Sequence, residues 1–281
     1  MADDGFGWRA LNWAWERKDE ILRLLAGVRG WFRGEQKPES TPGILVIGPG
    51  GAGKTTLARL LSGQVDWVLE PPGTYAASLN VERYSLAGPP AAEVVIPPGQ
   101  PHRRGTHWPD LLAGLAAGDY RGVILVTAFR HQSLESESYK DHPLFRTTKE
   151  EFVSALLEQH RSDELAVLGQ LLTSIALVRG RVWTLTVVAK QDLWWPERQE
   201  AERFYRDGEY GRRIAAVFGE HGSKDRRHEL CPVSLVIRNW MTKTGERLKP
   251  NAEGYDQVMQ VNSLRRLFET LDALRQWETE T

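Results

Sequence analysis

Eight residues, Gly48-Pro49-Gly50-Gly51-Ala52-Gly53-Lys54-Thr55, leave this chain few folds to choose from. They fit the pattern G-x-x-x-x-G-K-[ST]. The apolar run ILVI at 44–47 leads in, and Leu57, Leu60 and Leu61 follow at helical spacing. A strand, a glycine-rich bend and a helix are predicted in that order, with backbone N–H groups converging on phosphate oxygens at the positive end of the helix. Gly48, Gly50, Gly51, Ala52, Gly53, Lys54, Thr55 and Thr56 are the expected phosphate contacts. Lys54 is placed to reach the β- and γ-phosphates and to stabilise a transferring phosphoryl group, and the Thr55 hydroxyl to ligate Mg²⁺. The bland alternative is a glycine-rich turn that binds nothing.

The remainder of the chain alternates short apolar runs with longer helical patterns. Strands are predicted at 44–47, 79–86, 93–96, 122–128, 182–189 and 231–237, and helices at 55–62, 110–117, 149–159, 163–178, 196–218 and 256–277. Such interleaving predicts an α/β fold, a mostly parallel six-stranded sheet with helices on both faces. Residues 1–34 read as an amphipathic, Trp-rich N-terminal helix, in which Trp8, Leu11 and Trp15 share a face continued by Ile21, Leu24, Leu25, Val28 and Phe32. Residues 35–43 read as a polar linker, 44–281 as the nucleotide-binding domain, and 130–148 as a polar surface insertion.

Bulk composition narrows the function classes. Net charge is −1, so no nucleic-acid partner is expected. A single cysteine, Cys231, excludes an intrachain disulfide and suits a reducing compartment. No apolar run is long enough to cross a membrane, and neither a secretory signal nor a lipidation motif is seen, so the expected address is cytoplasmic.

Which base is bound must be read away from the phosphates. The run ending in Val187-Val188 passes into Ala189-Lys190-Gln191-Asp192. A Lys-x-Asp just beyond a strand can read guanine: Asp192 accepts from N1–H and the 2-amino group, and the Lys190 stem lies over the ring. Adenine would leave that carboxylate without a donor, at a cost of about 1–3 kcal/mol.

With these residues in this order, the chain over 44–277 resembles the Ras/Arf-like small GTPase superfamily. Further partial matches are Ile96-Pro97-Pro98-Gly99-Gln100, where the family has Asp-x-x-Gly-Gln, and Thr74, where the first switch has a Mg²⁺-binding threonine. The 26-residue interval between Thr74 and Gln100 fits the Ras-type spacing. Pro232-Val233-Ser234 resembles the turn whose backbone touches the guanine carbonyl, placing Ser234 and Leu235 at the base. The resemblance implies GTP/GDP and Mg²⁺ as cofactors, with Thr55 and Thr74 on the metal, Gly99 offering its N–H to the γ-phosphate and Gln100 orienting the attacking water. Gly50 would leave room for that water. The implied function is a molecular switch that hydrolyses GTP slowly and gates effector or regulator proteins.

Two positions depart from the family pattern. Ile96 stands where an aspartate steadies Mg²⁺ through a water, and Ala189 where an Asn or Thr ties the base loop to the phosphate loop. Ile96 favours a second class, a scaffolding pseudo-GTPase holding nucleotide permanently. A third class, an ATP-dependent enzyme, requires Lys190 and Asp192 to be incidental. Arg103 or Arg104 could serve as an internal arginine finger, although solvated arginines are the simpler expectation; His102 and His107 beside them lack the companions of a transition-metal site. The tryptophan helix, with Trp8, Trp13, Trp15 and Trp31 among basic residues, could fold onto the core, dock a partner protein or touch a membrane as a peripheral contact, the last being the least favoured.

Overall fold

The computed structural model describes residues 19–21, 23, 43–64, 77–85, 93–219 and 224–280. Six strands form one sheet: β1 (Gly43–Ile47), β2 (Glu82–Ser85), β3 (Glu93–Ile96), β4 (Tyr120–Thr127), β5 (Val182–Val188) and β6 (Arg226–Pro232), ordered β2-β3-β1-β4-β5-β6. Every neighbouring pair is parallel except β2–β3, which is antiparallel. The expected fold class is therefore present. The helices are α1 (Lys54–Leu61), α2 (Pro101–Ala117), α3 (Lys149–Ile175), the short α4 (Gln191–Trp194), α5 (Arg198–Arg206), α6 (Glu209–Phe218) and α7 (Gln257–Thr279).

Alternation along β1 shows how two helical layers grip one sheet. Ile44 and Val46 face a core shared with Leu57 and Leu60 of α1 and Leu264, Leu267 and Leu271 of α7. Leu45 and Ile47 face the opposite core, with Trp108 of α2, Leu168 and Leu171 of α3 and Tyr210 of α6. A period of two with both faces apolar is what a parallel strand covered on each side requires. From the N-terminal segment, Asp19, Glu20, Ile21 and Arg23 are helical; Ile21 is fully buried in the α1–α7 core, and Glu20 pairs with Arg265 at 2.9 Å. The tryptophans of that segment lie outside the described residues.

Several elements differ from expectation. The last strand is 226–232 rather than 231–237. Its residues RRHELCP form a half-buried edge, so hydrophobicity marks instead the turn that follows. Pro232 ends the strand, where a missing N–H costs the sheet little. Helix α2 begins at Pro101, nine residues before the apolar pattern, because Pro101 at the first helical position suits a helix start and Pro109 is carried inside it. The two helices expected over 149–178 are one continuous helix, capped by Thr148 and Glu151 in a capping box. A single helix over 196–218 is broken at Asp207-Gly208.

The segment 130–148 is not a plain surface excursion. His131, Gln132 and Leu134 are buried, and Leu134 joins Phe152, Trp240 and Leu248 in a third cluster. That cluster also anchors a hairpin absent from the sequence reading, β7 (Trp240–Met241) with β8 (Arg247–Lys249). The Trp240 indole donates to the Gln132 carbonyl at 2.7 Å, fastening hairpin to insertion. Among the described residues no helix is long and apolar enough to cross a membrane.

Candidate functional site

One cavity of about 450 Å³ opens along the C-terminal edge of the parallel strands, where ligands sit in open α/β sheets. The phosphate loop, running from β1 into α1, forms one end of it. There the Lys54 ammonium donates to the carbonyls of Gly48 at 2.9 Å and Pro49 at 2.8 Å. Burial depresses its pKa to about 7, helped by the Arg104 charge and opposed by Glu82. Gly51, Ala52, Gly53, Thr55 and Thr56 line the same cavity.

Gly99 lies directly on this loop. Its carbonyl accepts from the Gly50 N–H at 3.0 Å, and a Cβ at position 99 would sit 2.3 Å from Lys54 Nζ and 2.4 Å from the Gly48 oxygen. Only glycine fits so close an approach. The phosphate loop thus engages the Gly99 carbonyl; the Gly99 N–H expected to meet the γ-phosphate belongs to the preceding peptide. Arg104 holds that carbonyl from behind, with Nε at 2.8 Å and Nη2 at 2.6 Å, and pairs with Asp163 of α3 at 2.7 Å. Arg104 is thus a buried strut, not a solvated switch arginine. Gln100 is also buried, and its Nε2 donates to Glu135 of the insertion at 3.0 Å.

Thr55, at the head of α1, donates its hydroxyl to Glu82 Oε2 at 3.1 Å. The same oxygen accepts from the Tyr84 hydroxyl at 2.9 Å, and Glu82 Oε1 accepts from Ser78. An aliphatic Ile96, buried in the core, offers no ligand here. Among the described residues no cluster of three or more His, Cys, Asp and Glu side chains surrounds a common point. A hydroxyl and a carboxylate beside the phosphate loop nevertheless match Mg²⁺, which takes one or two protein oxygens and fills the remaining positions with phosphate oxygens and water. The donor set fits that ion. Thr74 lies outside the described residues.

The far end of the cavity is built by the segments after β5 and β6. Asp192 is 1% exposed; its Oδ1 accepts from Ser234 Oγ at 2.7 Å and its Oδ2 from the Arg238 N–H at 3.1 Å. Burial raises its pKa to about 6, with the Ser234 and Arg238 hydrogen bonds opposing. Lys190 sits at φ 58°, a left-handed conformation that turns the chain sharply out of β5. Its ammonium donates to the His131 carbonyl at 2.7 Å and Ser133 Oγ at 2.9 Å; burial lowers its pKa to about 7 against the pull of Asp192. Leu235 borders the cavity between this end and the loop, its carbonyl accepting from Gln260 at 2.8 Å.

Ala189 makes no side-chain tie to the phosphate loop, and another residue bridges the two. The Ser133 N–H donates to the Gly51 carbonyl at 3.0 Å while its hydroxyl accepts from Lys190. Ser133 therefore links the two loops that the family joins through Asn or Thr. Sequence reading missed this residue, together with Glu82 and Trp240, which also line the cavity.

A phosphate loop after β1, Lys-x-Asp after β5 and the turn at Leu235 after β6 meet around one cavity on a six-stranded sheet, with Ser234 buried behind it on Asp192. The chain has the P-loop GTPase fold. No protein-family model matches the chain and no curated protein does. Solved structures of similar shape include the mammalian SRP receptor, at 16% identity over 83% of this chain and 99% of that one, with a TM-score of 0.41. A second is the small COPII coat GTPase SAR1 of Encephalitozoon cuniculi in complex with GDP, at 14% identity over 96% of each chain and a TM-score of 0.42. A third is the SRb-GTP/SRX complex of Chaetomium thermophilum, at 18% identity over 82% of this chain and 98% of that chain, with a TM-score of 0.38. Scores of this size say nothing of activity; the GTPase fold rests on the chain's own sheet and cavity.

Proposed function

We propose that the protein binds a guanine nucleotide across this cavity and hydrolyses GTP slowly to GDP and phosphate, gating its association with partner proteins. The observation that supports guanine is Asp192: a buried carboxylate, steadied by Ser234 and the Arg238 N–H, in the same cavity as Lys54 and Thr55. A buried carboxylate is stabilised only by donors, and guanine brings two where adenine brings none at the equivalent edge.

On binding, Lys54 exchanges the Gly48 and Pro49 carbonyls for phosphate oxygens, and the cradle N–H groups take the rest of the charge. Thr55 and Glu82 would hold Mg²⁺, whose charge neutralises the β- and γ-oxygens. For the Gly99 N–H, which belongs to the Pro98–Gly99 peptide, to meet a γ-phosphate, the backbone at Gly99 would move and break the bonds that its carbonyl makes with the Gly50 N–H and Arg104. Gln100, freed from Glu135, would then orient the attacking water. Both rearrangements break existing hydrogen bonds, which is consistent with slow turnover.

A scaffolding role with nucleotide held permanently is the second reading, and the Gln100–Glu135 bond is the observation that favours it. Chromatography of the nucleotide released by denaturing the purified protein, followed by phosphate-release assays with GTP and ATP, separates the two. GDP with slow GTP turnover supports the switch; GTP without turnover supports the scaffold. Adenine nucleotide in the released fraction contradicts both.

A further inference from the structure

The antiparallel register of the sheet edge pairs Glu82 of β2 directly with Ile96 of β3. Opposite residues in such a pair place their side chains on the same face with Cβ atoms about 4.5–5.5 Å apart. Tyr84 and Val94 form the next pair on that face, and Tyr84 packs on the same core as Ile96. A carboxylate is therefore available beside position 96, on a longer stem, from the neighbouring strand. It points to the head of α1, where Thr55 donates to it at 3.1 Å, and it lines the cavity with Lys54 and Thr55.

We propose that Glu82, cross-strand partner of Ile96 and hydrogen-bonded to Thr55, supplies the acidic group of the Mg²⁺ site, replacing the aspartate that the chain lacks at position 96. The proposal rests on the nucleotide-binding reading above. Three hydroxyls meet this carboxylate, from Thr55, Ser78 and Tyr84. Hydroxyls that donate to a carboxylate in one state can rotate to offer lone pairs, or be exchanged for metal-bound water, in another. Tyr84 and Ser78 hold the carboxylate in place, the role that outer hydrogen bonds play around metal-ligating carboxylates. The oxygen-only donor set excludes the thiolate-preferring metals and suits a small hard dication. Loss of the aspartate at 96 is thereby compensated one strand over, and the buried isoleucine is free to serve the core.

The test uses the full chain loaded with GDP and titrated with Mn²⁺, free ion being read by its electron paramagnetic resonance signal. GDP affinity is measured separately in EDTA. Glu82→Gln preserves the side-chain shape and removes the charge; Tyr84→Phe removes one hydrogen bond to the same oxygen and keeps the charge. Expected is a Mn²⁺ dissociation constant raised about tenfold or more in Glu82→Gln and by a smaller factor in Tyr84→Phe, which keeps the charge but loses one of the bonds that orient it, with GDP affinity in EDTA equal in all three proteins. Equal Mn²⁺ affinity in wild type and Glu82→Gln, with GDP bound, overturns the proposal and leaves the nucleotide reading intact. Absence of GDP binding in wild type overturns that reading and the proposal together. Should Glu82→Gln fail to bind GDP in EDTA, Glu82→Asp decides: it retracts the charge by one methylene, and unchanged Mn²⁺ affinity in it contradicts the assignment.

Discussion

Asp192 is the residue on which base selection turns. Replacing it with Asn puts an amide N–H₂ where guanine also presents donors, so GDP affinity is expected to fall about 100-fold. Isothermal titration of Asp192→Asn checks this, and a loss under threefold would remove guanine from the account. Three shifted groups line the cavity, Lys54, Lys190 and Asp192, and the two that meet phosphate and base edge bear most directly on the pH dependence of binding. Asp192 titrates at about 6 in the nucleotide-free protein, so the guanine-accepting carboxylate is lost as pH falls through that value, and affinity falls with it. Lys54 titrates at about 7 before phosphates arrive, lowered by burial. Bound phosphate favours the charged form, so nucleotide binding above that pH should take up a proton. Titration in buffers of unequal ionisation enthalpy detects the uptake; identical apparent enthalpies would show that Lys54 is already charged. Lys54 and Asp192 were legible in the sequence because each belongs to a motif whose spacing is local. Glu82 was not, since its importance comes from the register of β2 against β3.

At the scale of elements, the insertion after β4 carries more of the site than its polar sequence suggested. Ser133 joins Gly51 to Lys190, so Ser133→Ala should remove one hydrogen bond and speed GDP dissociation about fivefold. Stopped-flow release of a fluorescent GDP analogue measures it; an unchanged rate means the bridge is dispensable. Gly51 itself has φ 71°, and a Cβ there would meet Ser133 N at 2.5 Å, so Gly51 is required by the insertion as well as by the phosphate. Helix α2 imposes a second control through Arg104, which holds the Gly99 carbonyl with two hydrogen bonds. Arg104→Ala should raise the ratio of GTP to GDP affinity about fivefold by freeing that peptide; a lowered ratio would assign Arg104 to the phosphates instead. Strands β1, β3 and β5 were readable from continuous apolar runs because they are covered on both faces. Edge strand β6 and the β7–β8 hairpin were not, because half-buried polar strands leave no periodic trace that distinguishes them from loops.

At the scale of the whole molecule, the buried core beneath the sheet and the cavity at the strand ends should respond differently to substitution. Trp183 lies flat against Gly122 across β4 and β5, and a Cβ at 122 would fall 2.0 Å from its ring. Gly122→Ala therefore overpacks the core, at about 1–3 kcal/mol of stability. Denaturant unfolding reads that loss, while GDP affinity of the folded fraction should stay within about twofold, since the cavity lies at the strand ends. A large affinity loss in Gly122→Ala would mean that core and site are not separable. The deepest dependence remains the coupling of a phosphate loop to a guanine-reading carboxylate in one cavity. Isothermal titration of the wild-type chain with GDP and with ADP, each in Mg²⁺, tests it most directly, with Lys54→Ala as the comparison. The account predicts GDP binding at least about 100-fold tighter than ADP, abolished or severely weakened in Lys54→Ala. Equal affinity for both nucleotides, or GDP binding that Lys54→Ala leaves unchanged, would contradict it.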